Sequence, residues 1–284
     1  MSGAAETHET TTPPIRIGGV VLAVRDLARV EAFYCDVIGL RRIAHEAGRT
    51  QLGAGAVTLL ELVERPDAQP DDSSTAGLYH TAFLLPSHAD LADWVAHLTR
   101  LRYPLDGSAD HLVSEALYVS DPEGNGVEVY ADRPRASWEW NGSKIRMANQ
   151  RLDTAALLAL QTQSGWTGAP SGTRIGHMHL RVGDVARAAD FYSGVIGLDV
   201  TLSVPGAVFM SSGGYHHHVA ANSWRSGGAA PRNPAMAGLV SVTLDLAAPD
   251  TLAAITERSG QSDIAANGLR DPWGTEMRFR LAAA

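Results

Sequence analysis

Cysteine is almost missing from this chain: Cys35 is the only one in 284 residues. One thiol excludes both a disulfide framework and a thiolate metal cluster. It follows Phe33-Tyr34 on an expected helix, where packing is its expected role. Positive charge is also scarce, with 23 Lys and Arg against 31 Asp and Glu and a net charge of −8. Such a chain lacks the basic face that neutralises phosphate, so nucleic acid is excluded as a partner. No apolar run approaches the roughly 20 residues that span a bilayer, so no membrane partner is expected either. The opening MSGAAETHETTTPP has no hydrophobic core of the signal-peptide kind. Residues 1–14 therefore read as a flexible tail, His8 in it has no expected role, and the expected compartment is cytoplasmic. The hydrophobic share of 45% and charged share of 19% are those of a globular protein. The length suits one large domain or two of common size.

The richest stretch runs from His111 to Glu128, HLVSEALYVSDPEGNGVE. Ala116, Tyr118 and Ser120 alternate with Leu117 and Val119, as on a strand. Asp121-Pro122-Glu123-Gly124 is turn chemistry, extended by Asn125-Gly126. Val127-Glu128-Val129-Tyr130 restarts a strand, with Glu128 and Tyr130 on one face. The stretch is thus a hairpin that aims a hydroxyl and a carboxylate into one space.

The chain also repeats itself. LAVRDLARVEAFYCDVIGL at 22–40 recurs as LRVGDVARAADFYSGVIGL at 180–198. Each copy is a strand, an Asp (Asp26, Asp184) suited to cap a helix, and a helix ended by Gly39 or Gly197. Strands follow at 49–63 and 207–222. A second kind of unit follows each. Residues 78–132 give a strand at 79–85, a helix at 89–101 and the hairpin. Residues 238–282 give a strand at 239–246, a helix near 249–259 and DPWGTEMRFRL, in which Asp271-Pro272-x-Gly274 repeats the turn. The expectation is an α+β chain of four βαβββ units, paired as an N-terminal domain (15–133) and a C-terminal domain (174–284). Residues 134–173 form a linker holding Trp138, Trp140 and Trp166 and a short helix near 154–161. A connection of that length is commonly functional, and here it is expected to cover a cavity.

Both features carry a resemblance. The hairpin resembles the extradiol ring-cleaving dioxygenase signature: His, a short spacer, an aliphatic residue, Tyr, Asp-Pro-x-Gly, Glu. Its one departure is Ala109, two residues before the His. The four-unit pattern resembles the vicinal oxygen chelate superfamily of glyoxalase I, bleomycin-resistance proteins and extradiol dioxygenases, most nearly the two-domain bacterial catechol-2,3-dioxygenase type. The resemblance covers nearly the whole chain after residue 14. It implies two glyoxalase-like domains whose sheets curl around a metal, Glu128 as a ligand, and His111 and Tyr118 against a bound catechol and dioxygen.

That superfamily places its ligands on the first and last strands of a unit. The slots of unit two hold His80 and Glu128, and the first-strand slot of unit three holds His177. In units one and four the slots hold Gly19, Ser241 and Arg278, none of them a ligand. Two histidines and one carboxylate suit non-haem Fe(II), with Mn(II) as the alternative, and leave positions open for a diol and dioxygen. His179 rivals His177 because both face one side of a strand, and Glu61 is a weaker rival. In Gly213–Val219, on a strand, His216 and His218 would share a face. The resemblance makes His218 the acid–base residue, with His217 second, a role that histidine's pKa suits.

The expected function is meta cleavage of catechol or a substituted catechol with O2. The alternatives are a glyoxalase-like isomerase using Zn, Ni or Co, with His218 as a fourth ligand, or a metal-free small-molecule binder. The expected partners are the catecholic substrate and dioxygen. A homo-oligomer is compatible with units one and four, which would serve as scaffold or as subunit interface.

Overall fold

Asp26 and Asp184 start equivalent helices, as the repeat requires: each carboxylate accepts from the backbone N–H three residues on, at 3.0 Å. The computed structural model describes residues 13–282. Apart from Pro13 and Pro14, the expected tail lies outside the described residues. Unit one is β1 (Ile15–Val24), α1 (Leu27–Asp36), β2 (Arg41–Glu46), β3 (Arg49–Ala54) and β4 (Val57–Glu64). Unit two is β5 (Gly77–Leu84), α2 (His88–Leu101), β6 (Gly107–Asp110), β7 (Ser114–Ser120) and β8 (Gly126–Asp132). The linker is partly built: a hairpin of β9 (Trp140–Asn141) and β10 (Lys144–Ile145), then α3 (Thr154–Leu158). Unit three is β11 (Arg174–Arg181), α4 (Val185–Ala189) running on as a wide turn through Ile196, β12 (Asp199–Val204), β13 (Ala207–Ser211) and β14 (Val219–Asn222). Unit four is β15 (Gly238–Leu246), α5 (Pro249–Ser259), α6 (Ile264–Asn267), β16 (Leu269–Arg270) and β17 (Glu276–Leu281). It therefore departs from the expected pattern, with a short helix and a two-residue strand where the other units carry two full strands.

The sheets combine units across the two sequence halves. β1 pairs antiparallel with β15, which joins units one and four in a sheet of order β16-β17-β15-β1-β4-β3-β2. β5 pairs antiparallel with β11, which joins units two and three in a sheet of order β12-β13-β14-β11-β5-β8-β7-β6. The slots without ligand chemistry (Gly19, Ser241 and Arg278) thus share one sheet, and His80, Glu128 and His177 share the other. A large apolar core fills most of the interior, with Leu22, Leu62, Phe83, Trp94, Tyr192 and Val242 all closed to solvent, and a smaller cluster gathers around Tyr130, Trp138 and Tyr215. This burial supplies the main driving force for bringing these layers together.

Units adjacent in sequence are tied differently, through their helices. In unit two Asp121 accepts from the N–H groups of Glu123 and Asn125 at 2.8 and 2.9 Å, closing the turn. The hydroxyl of Tyr34 on α1 reaches the same carboxylate at 3.5 Å. Asp271 repeats the arrangement in unit four, and Tyr192 donates to it at 2.9 Å. The repeated Phe-Tyr pair and the repeated Asp-Pro-x-Gly turn are two sides of one contact. It seats each even unit on the helix of the odd unit before it.

Candidate metal centre and active site

β5, β8 and β11 are neighbouring strands in the middle of the eight-stranded sheet, and register decides what meets there. Ala82 stands opposite Glu128 on one side and His177 on the other. His80 is two residues back on β5 and projects to the same face as Ala82. Only the methyl of Ala82 stands between two longer side chains, so three donors converge. His80 Nε2 and His177 Nε2 each lie 3.0 Å from the same Glu128 oxygen, Oε2. Among the described residues these three form the group able to hold a metal, with ligand atoms within 4.8 Å of one another. All three side chains are buried, Glu128 and His177 each at 2% exposure.

Burial drives the His177 imidazole down to about 4, so at neutral pH it is an uncharged ring with a lone pair to give. Burial pushes the Glu128 carboxyl the other way, yet His177 and then His80 outweigh it and hold the group ionised. Neutral imidazoles and an anionic carboxylate are the states a metal requires of its ligands. Two donors at right angles on a metal about 2.1 Å away sit about 3 Å apart, which is the spacing found here. His80 Nε2 and His177 Nδ1 are buried without a hydrogen-bond partner. The residues present fit a divalent ion with two imidazole ligands and one carboxylate.

The other expected residues divide. Tyr118 is the direct cross-strand partner of Glu128. Its hydroxyl lies 2.7 Å from Nε2 of His111. Burial first, then the Glu128 charge, hold Tyr118 well above the usual phenol range, as a neutral hydrogen-bond donor. His179 stands apart from His177: the Asn222 amide donates to its Nε2 at 2.9 Å. Glu61 lies in the other sheet, bound to Gln51 and Arg49 at 3.2 Å each. The histidine run is not a strand, since β13 ends at Ser211 and β14 starts at Val219. Gly213 and Gly214 turn the chain with φ of 64° and 65°, so alternation does not govern 215–218. His217, rather than His218, faces the centre, with its ring 4.0 Å from that of His177. His218 turns aside, and its Nδ1 accepts from the Ser212 N–H at 3.2 Å.

Several contributors escape a reading of the sequence. Asp132 accepts from His216 Nε2 at 2.9 Å, and His216 Nδ1 lies 2.8 Å from Nδ1 of His217. Tyr215 donates to the same aspartate at 2.9 Å. Tyr79 is the extra residue of a bulge, because His80 pairs with His179 and Leu78 with Leu180. The bulge brings its ring against His80, His179 and Trp224 at 5.3, 4.9 and 5.6 Å. Tyr79 and Trp224 are 41% and 52% exposed, so they form an aromatic rim where the site meets solvent.

The buried rings make the metal-free protein acid-sensitive. His177 is held at about 4 and His218 at about 3 by burial, against 6.5 for a free ring. Below pH 6.5 the unfolded chain therefore binds protons that the fold refuses, and stability falls as pH falls. From pH 6.5 to 5 His177 alone accounts for roughly 1.5 kcal/mol. Urea titrations of the metal-free protein at the two pH values check this, with a clearly lower midpoint expected at pH 5.

The curled sheets and the convergent His-His-Glu group define the class. The sequence profile of the Glyoxalase/Bleomycin resistance protein/Dioxygenase superfamily matches residues 16–129 and 174–276, and the chain belongs to that superfamily. Within it, the chain is 39% identical over 257 residues to the catechol-2,3-dioxygenase of Bacillus subtilis (strain 168), covering 88% of each. It is 31% identical over 132 residues to biphenyl-2,3-diol 1,2-dioxygenase 3 of Rhodococcus globerulus, a match spanning 43% of this chain and 65% of that one. The solved structure of glyoxalase I from Zea mays shares the fold, with a TM-score of 0.54 at 14% identity over 93% of this chain and 92% of that one. No helix among the described residues is long and apolar enough to cross a membrane.

Proposed function

We propose that the chain cleaves the ring of catechol, or of a substituted catechol, beside its diol with dioxygen at an Fe(II) centre held by His80, His177 and Glu128. Mn(II) suits the same ligands. The chain is an enzyme of the catechol-2,3-dioxygenase type, on 39% identity across nearly its whole length. The observation that carries the finer reading is the convergence of two imidazoles and one carboxylate on one point of the sheet.

When bound, the metal supplies the charge that makes the diol acidic and the open positions where diol and dioxygen meet. The protein's part is to move protons and place the ring. Tyr118 and His111 stand beside Glu128 to take a hydroxyl proton. His217 is the acid–base residue on the opposite side, in the role first expected of His218. Tyr79 and Trp224 border the entry, where a flat ring can stack. Both oxygen atoms enter the product, so the reaction needs no external reductant.

The test is oxygen uptake by anaerobically purified, Fe(II)-loaded protein on adding catechol. Uptake matching catechol consumed, with a yellow product, is the expected result. No uptake across a panel of catechols, with tight Zn(II) or Ni(II) binding instead, would transfer the site to a metal isomerase.

A further inference from the structure

We propose that residues 146–150 of the linker are a positioning strap, which holds His111 as the acceptor of the Tyr118 hydroxyl proton. The kinetic consequence rests on the proposed ring cleavage, but the geometry stands without it.

The strap begins at a single antiparallel bridge to β6. β6 is the last strand of the catalytic sheet, and its backbone edge would otherwise be bare. The linker meets that edge at Asp110. The Asp110 N–H donates to the Gln150 carbonyl at 3.0 Å, and the Gln150 N–H donates back at 2.9 Å. The next residue along is His111, in a tight turn where Leu112 takes a φ of 69° and its N–H binds the Asp110 side chain at 2.8 Å. Arg133 grips the same aspartate at 2.9 Å from the other side. His111 is thus placed from two directions, by the barrel and by the linker.

The decisive contact is between His111 Nδ1 and the carbonyl of Ala148, at 3.0 Å. A carbonyl can only accept, so Nδ1 carries the hydrogen. In the neutral ring Nε2 then bears a lone pair, and the atom facing it at 2.7 Å is the Tyr118 oxygen. Tyr118 therefore donates to His111, and its oxygen keeps a lone pair able to accept. A diol hydroxyl bound there can pass its proton to the Tyr118 oxygen while Tyr118 passes its own to His111 Nε2. One O–H bond breaks on the substrate and one N–H bond forms on His111. The Ala148 carbonyl remains bound to the resulting cation. Were the ring turned to the other tautomer, Nε2 would be a donor and the path would close.

The linker also reaches the opposite histidine group. Trp138 packs edge-on against His216, with ring centroids 5.2 Å apart. One segment therefore braces both proton-handling sides of the centre.

The test reads the tautomer directly. Nitrogen-15 NMR of histidine-labelled full-length protein, metal-free and Zn(II)-loaded, assigns the His111 signals by their loss in His111→Ala. The expected state is Nδ1–H with an unprotonated Nε2. An Nε2–H tautomer in the wild-type protein overturns the proposal, whatever the variants do. Gln150→Pro removes the N–H that closes the strap. In that variant the His111 signal should move toward the other tautomer, and kcat should fall about 100-fold with metal content and KM little changed. An unchanged tautomer and kcat in Gln150→Pro would equally sink the idea. If ring cleavage itself is the wrong reaction, the wild type shows no activity to lose, while the NMR still decides the strap.

Discussion

Glu128→Gln should lose iron and ring cleavage together. The carboxylate is the one anionic donor in the group, and both histidine Nε2 atoms meet its Oε2 at 3.0 Å. Glutamine keeps the size and can still hydrogen-bond His177, so the fold should persist. What disappears is the charge that balances a dication. Even partners one step removed from a metal typically cost 10–100-fold in affinity or activity when mutated. A ligand should cost at least about 100-fold. Metal analysis of dialysed protein, together with oxygen uptake, checks this. A variant with full iron content and full turnover would remove Glu128 from the site.

His217→Gln should cost about 10²–10⁴ in kcat, the usual worth of a placed acid–base group, and His218→Gln less than about tenfold. The two rings are neighbours in sequence, so the contrast is a test of geometry alone. Asp132 accepts from His216 Nε2, which leaves His216 Nδ1 to accept from His217 Nδ1 at 2.8 Å. His217 is thereby held with a lone pair on Nε2, against the ring of His177. His218 spends its Nδ1 on the backbone of Ser212. Steady-state oxygen consumption by iron-loaded variants separates the two. A larger loss at His218 than at His217 would restore the assignment that the family resemblance implies.

How much of this could be read from the sequence depends on the rule each feature obeys. His80, Glu128 and His177 sit on regular strands of a repeated unit, where slot and face follow from counting. Their convergence was therefore legible, and so was the hairpin, whose turn is written in Asp121-Pro122 and Gly124. Which histidine of 216–218 faces the centre was not legible, because Gly213 and Gly214 turn the chain and period two has no meaning in a turn. Tyr79 was missed because a bulge is a mismatch between two strands, invisible in either one alone. The ligand slots already put the site between units two and three, but the joining of unit one to four was hidden. It depends on which strand edges meet, and nothing in a single unit's pattern names its partner. The strap on His111 was hidden for a third reason: its working group is a backbone carbonyl, which every residue has.

The order of sheet assembly has a consequence for synthesis. The catalytic sheet is written in one unbroken stretch, from Gly77 to Asn222. The other sheet draws β1 to β4 from the start of the chain and β15 to β17 from its end. On the ribosome, where chains fold from the first residues onward at about 5–20 residues per second, the three side chains proposed to bind the metal can meet once β14 has emerged. At that moment unit one still lacks its sheet partner. The last strand to arrive completes the scaffold rather than the chemistry, and a nascent chain stalled after Asn222 already carries every residue proposed to hold the metal or move a proton.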